Sequence, residues 1–383
     1  MSRPIYLDYN ATTPVDPAVL DAMLPYFTEQ FGNPSSAHAY GWAADEAVKQ
    51  AREQLGALLG ARPDALTFTS GATEAANLAI RGTAAAYRGK KDHVVTVATE
   101  HKAVLDPVRS LEAEGYRVTV LGVQPDGRID LDVLRDALTD TTLLVAVMWA
   151  NNETGVIQPV PEIAEIVRER GALFMTDATQ AVGKIPVDVA HADLLICSGH
   201  KVYGPKGVGA LYRSRRQPRV RLEPEITGGG QEDGLRSGTL NVPGIVGLGK
   251  AAEVAGARLD EDAARLAALR DRLEAALLDR IDGVRVNGST EHRLPNTANL
   301  VFPGTHGKLL PAIRGVAASV GSSCRTKSAR PSHVLTALGL SDDDAFDTLR
   351  LSLGRFTTED EIGRAADEIV TAVARLRAEP IPA

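Results

Sequence analysis

A chain of 383 residues with a net charge of −7 carries no basic footprint, so direct nucleic-acid binding is not expected. Its length suits two domains, and apolar runs such as residues 143–148 are strand-sized, far short of a bilayer span, so no membrane association is expected. The stretch from Met1 to Tyr6 has no signal-peptide profile, and two cysteines, Cys197 and Cys324, are too few for a disulfide framework; a cytoplasmic location is the expectation.

In chain order, Leu7-Asp8-Tyr9-Asn10-Ala11-Thr12-Thr13-Pro14 is rich in small hydrogen-bonding residues and reads as a loop near a binding surface. Asp16-Pro17 is a helix start, with a cap and a first-turn proline, opening a helix to residue 27. Gly32-Asn33-Pro34-Ser35-Ser36 is a second loop, and a long helix follows over 37–59. From residue 66 strands alternate with helices: strands at 66–69, 93–97, 116–121, 143–149, 172–176 and 193–197, with a helix at 161–170 among the intervening ones. That alternation predicts an α/β domain with a largely parallel sheet. Gly228-Gly229-Gly230-Gln231-Glu232 and Arg236-Ser237-Gly238-Thr239 form a polar, glycine-rich crossing. A helical region follows over 245–281, broken near Gly256 or Asp260, then strands at 283–286, 297–301 and 349–353 and a last helix at 359–377. The expected division is a large domain, 15–260, and a smaller α+β domain made of 1–14 and 261–383.

The chemistry concentrates after the run 193–197, at Ser198-Gly199-His200-Lys201. A lysine at the mouth of a buried strand is costly to desolvate as an ammonium, so its pKa is pushed down and its neutral amine becomes a nucleophile. The usual work of such an amine is a Schiff base with a carbonyl or with pyridoxal phosphate. One lysine in a Gly/Pro loop is more often a surface residue, so partners decide. Thr73, His101, Asn152 and Asp177 with Gln180 each follow a separate strand, where ligands of an open α/β sheet bind. Singly they read as a helix cap, a loop histidine, a turn former and another cap; five strand ends together read as a site. Ala72 and Thr73 at a helix start, with Ser198 and His200, suit a phosphate. Asp177 suits the pyridine nitrogen, Asn152 and Gln180 the ring hydroxyl, and His101 the ring face and proton transfer.

These motifs, with Thr99-Glu100-His101, Asn151-Asn152-Glu153-Thr154-Gly155, Asp177-Ala178-Thr179-Gln180, Ser322-Ser323-Cys324 and Arg350-Leu351-Ser352-Leu353-Gly354-Arg355-Phe356, resemble the cysteine desulfurases of the nitrogen-fixation and iron–sulfur-cluster branch. The resemblance runs nearly end to end. It implies the type I fold of pyridoxal-phosphate enzymes (aspartate aminotransferase-like), with a mostly parallel seven-stranded sheet and a smaller α+β domain carrying the Cys324 loop. It implies a homodimer in which Thr239 reaches the other subunit's cofactor, Lys201 as the cofactor-bonding lysine, and Arg350, with Asn152, at the substrate carboxylate. Arg355, the other arginine of that motif, is expected to be structural. L-cysteine is the implied substrate: Lys201 takes its α-proton, the Cys324 thiolate attacks its sulfur, and alanine leaves while a persulfide awaits an acceptor protein. Arg325 and Lys327 flank Cys324 and are expected to favour its thiolate, whereas Cys197, inside an apolar strand, is expected to be an inert buried thiol. Departures from the family's usual pattern fall around Cys324 and at Thr227 and Asp233, and bear on the acceptor. The alternatives are a selenocysteine lyase or another β-eliminating enzyme on the same cofactor, and a non-catalytic sulfur-carrier scaffold, whose signature would be loss of Lys201 or Asp177.

Overall fold

The computed structural model describes residues 3–216, 220–320 and 330–378. Its centre is a seven-stranded sheet in the spatial order Leu66–Thr69, Gly209–Arg213, Leu194–Ser198, Leu173–Asp177, Thr142–Ala146, His93–Val97 and Arg117–Leu121. All neighbours pair in parallel except Gly209–Arg213, which is antiparallel to the strands on both sides. Successive side chains of each strand point to opposite faces. Val95, Val145, Phe174 and Leu195 pack on one core with helices Ala39–Leu59 and Val160–Glu169. Val94, Leu144, Met175 and Ile196 pack on the other with helices Ala72–Tyr87 and Lys102–Ser110. Burial on both faces explains the unbroken apolar runs.

Three elements differ from expectation. The first helix divides into Pro17–Met23 and Pro25–Thr28, because Pro25 has no N–H to continue the ladder. The strand Gly209–Arg213 is hidden in sequence by the glycine-rich turn that precedes it, and that turn reverses the chain and makes the strand antiparallel. The helical region expected to break at Gly256 or Asp260 is one helix, Val242–Arg280. Packing overrides glycine's low propensity there. Ala251, Ala252 and Ala255 join the large-sheet core, while Leu266, Leu269, Leu273 and Leu277 join another. Gly249 allows the close approach to helix Ala39–Leu59, since a Cβ there would lie 2.4 Å from the Cα of Ala51.

That other core sits under a three-stranded antiparallel sheet with Thr297–Val301 in the middle, flanked by Arg285–Val286 and Thr348–Ser352, and is covered by helix Glu359–Ala378. The N-terminal strand Ile5–Tyr6 pairs in parallel with Val316–Ala317, and Asp8 bridges to Ser352. The segment from Ile5 to Asp8 therefore lies against Val316–Ala317 and Ser352 and leads directly to the carboxyl edge of the large sheet. Among the described residues, no helix is long and apolar enough to cross a membrane.

Candidate active site

The strand Leu194–Ser198 runs into a single 3-10 turn, Gly199–Lys201. Gly199 is required there, because a Cβ would meet Val208 Cγ1 at 2.9 Å and the Pro205 carbonyl oxygen at 3.0 Å. The turn aims Lys201 at the N-terminal loop, where its Nζ donates to the carbonyls of Asn10 at 2.5 Å and Ala11 at 2.8 Å. Burial, then the nearby Arg350 guanidinium, lowers the Lys201 pKa to about 8 against the opposing pull of Asp177 and Asp8. The amine, Asp177 and Arg350 thus face one another closely enough to interact electrostatically.

Asp177 ends its strand buried, with Oδ1 accepting the Thr179 N–H at 2.9 Å. His101 caps helix Lys102–Ser110, its Nδ1 accepting the Ala103 N–H at 3.1 Å. In a neutral ring that leaves the hydrogen on Nε2. Desolvation, opposed by Asp177, holds the His101 pKa below its ordinary value. His200 is held near a pKa of about 4 by burial and by Lys201, and its Nδ1 lies 3.1 Å from Thr12 Oγ1.

Helix Ala72–Tyr87 begins without a side-chain cap. Its N-cap, Gly71, has φ +152°, and a Cβ there would meet only Ser198 Oγ, at 3.8 Å. Gly209 presses on this turn from beneath, its own Cβ position being 2.7 Å from the Gly71 Cα. The uncapped N–H groups around Ala72 and Thr73, with Ser198 beside them, make an anion cradle. Arg236 neutralises Glu74 in the same turn, donating to its two oxygens at 2.8 and 3.3 Å. Thr239, in the segment that Arg236 begins, is exposed.

Arg350 stands on Thr348–Ser352, with Nη2 on Asp8 Oδ1 at 2.7 Å and Nη1 on the Asn152 carbonyl at 2.9 Å. Its Nε is buried and has no hydrogen-bond partner among the described residues. Arg355 is built differently, with Nη1 on Asp16 and Nε on Asp262, both at 2.8 Å, and its guanidinium 4.3 Å above the Tyr203 ring. Cys197 is fully enclosed, and burial pushes its thiol up to about 12. Cys324 and its flanks Arg325 and Lys327 lie outside the described residues.

Sequence reasoning misses Asn10 as a hub. Its carbonyl accepts from both Lys201 Nζ and Gln180 Nε2, the latter at 2.9 Å. Its side chain contacts Thr297 Oγ1 at 2.9 Å, Asn296 Nδ2 at 3.1 Å and the Asn152 carbonyl at 3.3 Å. Lys184 is missed too, although it lies four residues after Gln180 and donates to its Oε1 at 2.6 Å. Asn10 goes unmarked because its partners come from distant segments, and Lys184 because its neighbour Gln180 is read only toward the ring.

The family model for class-V aminotransferases matches residues 5–364. The chain belongs to the class-V aminotransferase family. A cysteine desulfurase IscS of Anaeromyxobacter dehalogenans (strain 2CP-C) is 53% identical over 381 residues, covering 98% of this chain and 94% of the relative. Among solved structures, a NifS-like protein superposes with a TM-score of 0.91 at 37% identity, covering 97% of this chain and 100% of that one. SspA in complex with cysteine superposes at 0.82 with 39% identity, covering 92% and 99%. The fold is that of type I pyridoxal-phosphate enzymes, and pyridoxal phosphate is the family's cofactor. The residues fit it: an uncapped helix start for the phosphate, a buried carboxylate for the ring nitrogen and a low-pKa amine for the aldehyde.

Proposed function

We propose that this protein is a cysteine desulfurase: it takes sulfur from L-cysteine, releases L-alanine and leaves a persulfide on Cys324 for an acceptor protein of iron–sulfur-cluster assembly or of tRNA or cofactor thiolation. The observation that carries this is Lys201, a strand-end amine of pKa about 8 that interacts electrostatically with Asp177 and Arg350. Relatives named cysteine desulfurase over nearly the full length support the same activity.

When bound, pyridoxal phosphate supplies an electron sink that acidifies the substrate α-carbon. The start of the Ala72–Tyr87 helix, Ser198 and His200 would hold its phosphate, and Asp177 would keep the ring nitrogen protonated. Gln180 and Asn152 would serve the ring oxygen, and His101 would serve the ring face. Arg350 binds the substrate carboxylate, its fork matching two oxygens. Lys201, poised near neutrality by burial, accepts the α-proton. The Cys324 thiolate then forms a sulfur–sulfur bond with the substrate; the carbon–sulfur bond breaks, its electron pair stays with carbon, and a proton completes alanine.

A second copy of the chain completes the reading. Leu20, Leu24, Phe27, Phe31, Tyr40 and Trp42 are large, apolar and exposed near the N-terminal helices, and such a patch supports a homodimer in which Thr239 reaches the partner's cofactor. The change of core along helix Val242–Arg280 supports the division into 15–260 and 1–14 with 261–383. A cytoplasmic setting, where thiols stay reduced, suits this chemistry.

Incubation with L-cysteine tests the proposal. Alanine, with a persulfide mapped to Cys324 by mass spectrometry and lost in Cys324→Ala, is the expected result. Pyruvate and ammonia would instead support a β-eliminating enzyme. A visible cofactor band that survives Lys201→Ala would overturn the assignment of the lysine.

A further inference from the structure

Lys184 is a basic residue that the desulfurase reading leaves without a task. Its amine lies in the interior, and no carboxylate comes within ion-pairing distance of it among the described residues. The groups around it are Gln180 Oε1 at 2.6 Å, Asn10 Oδ1 at 3.4 Å and the charges of Lys201 and Arg350. Tyr9, Tyr203 and Asp262 line the same small enclosed cavity. Burial, then the Lys201 and Arg350 charges, pushes the Lys184 pKa well below its ordinary value, so its amine is held by hydrogen bonds and not by an ion pair.

The explanation lies in the donors and acceptors of Gln180. A carboxamide can rotate by half a turn and exchange its oxygen and nitrogen at little cost unless its neighbours tell them apart. Here both ends are told apart. The Asn10 carbonyl accepts only, so Nε2 must face it, at 2.9 Å. With Nε2 committed to Asn10, Oε1 faces Lys184, whose Nζ donates to it. Nε2 spends one hydrogen on Asn10 and keeps one. The same Asn10 carbonyl also holds Lys201 Nζ at 2.5 Å, so the carboxamide and the reactive amine share one acceptor.

We propose that Lys184 is a positioning residue: by holding Gln180 Oε1 it locks the carboxamide so that Nε2–H is presented to the oxygen substituent of the cofactor ring. The inference rests on the reading of Gln180 as the group facing that oxygen. A donor on a phenolate oxygen withdraws charge from the conjugated ring system and makes the neighbouring imine nitrogen less basic. Loss of the lock therefore raises the pH at which the visible cofactor band titrates.

The test is a spectrophotometric pH titration of the holoenzyme in wild type, Lys184→Met, Gln180→Leu and the double variant, without substrate. Lys184→Met and Gln180→Leu are each expected to raise the transition by about one pH unit, the scale of one charge-assisted hydrogen bond. The double variant is expected to match Gln180→Leu alone, since a residue acting through another adds nothing once that other is gone. Lys184→Arg, which still donates, is expected to restore the wild-type transition. An unshifted Lys184→Met against a shifted Gln180→Leu overturns the role of Lys184. Equal shifts from Lys184→Met in both backgrounds also overturn it, because Lys184 would then act by charge alone. An unshifted Gln180→Leu sinks the reading of Gln180 itself, and the inference with it. Should Lys184→Met not fold, Lys184→Leu also removes the donor and is read in the same way.

Discussion

Glu153 accepts a 2.6 Å hydrogen bond from Ser332, joining the loop after the Thr142–Ala146 strand to the cap of helix His333–Ala337. Burial raises the Glu153 pKa to about 7 despite this bond and the nearby Arg350. The proton is therefore bound more tightly in the folded chain than in the unfolded one. Stability from this group is complete below the unfolded carboxyl range, falls as pH rises and is fully lost above about 7. Glu153→Gln removes this dependence. Thermal melts should show the variant gaining on wild type between pH 5 and 8, by roughly 3 kcal/mol at the upper end. A constant difference across that range would contradict the linkage.

Arg350→Lys keeps a charge for Asp8 but loses the planar fork. The expected result is a fall in kcat/KM for L-cysteine of roughly 10- to 100-fold, the range of one charge-assisted hydrogen bond. Steady-state kinetics on alanine release would check it, and unchanged kinetics would remove Arg350 from substrate binding.

Arg355 neutralises Asp16 and Asp262 in a setting where its side chain is only 6% exposed. Arg355→Ala leaves both carboxylates without that partner and should destabilise the fold by about 3–5 kcal/mol. Denaturant unfolding measures this directly.

Two glycines of helix Val242–Arg280 should respond with opposite signs. A Cβ on Gly256 meets only Leu58 Cδ1, at 3.6 Å, so Gly256→Ala should stabilise by up to about 1 kcal/mol through helix propensity. A Cβ on Gly249 would collide with Ala51, so Gly249→Ala should destabilise by about 1–3 kcal/mol. Paired urea titrations would settle both signs.

Cys197 should resist alkylation in the native protein and react only after unfolding, because its thiol is enclosed and held near pKa 12. Mass mapping after iodoacetamide treatment, with and without denaturant, is the check. Modification of Cys197 under native conditions would mean that the strand opens.

Apart from Gly209–Arg213, the strands of the large sheet are legible in the sequence because burial turns them into apolar runs, and their polar carboxyl ends then stand out. Thr73, His101, Asp177 and Lys201 can be picked for that reason. Asn10 and Lys184 escape notice because their meaning lies in bonds spanning 191 and 174 positions, as in Lys201 to Asn10 and Lys184 to Asn10. Gly256 misleads because local propensity is weaker than the cores gripping the helix on either side. Pro25 is visible in the sequence, yet the helix pattern around it hides its effect. The Cys324 loop is legible only as a motif.

The Asn10 amide hydrogen-bonds to Ser352 Oγ across 342 positions, and its carbonyl is an acceptor for Lys201. During synthesis the N-terminal segment leaves the ribosome first and must wait for the Thr348–Ser352 strand before it can settle. A nascent chain released before that strand is made has nothing to dock its opening residues against, so the lysine lacks its anchored acceptor. Catalytic competence thus requires that translation has passed Ser352.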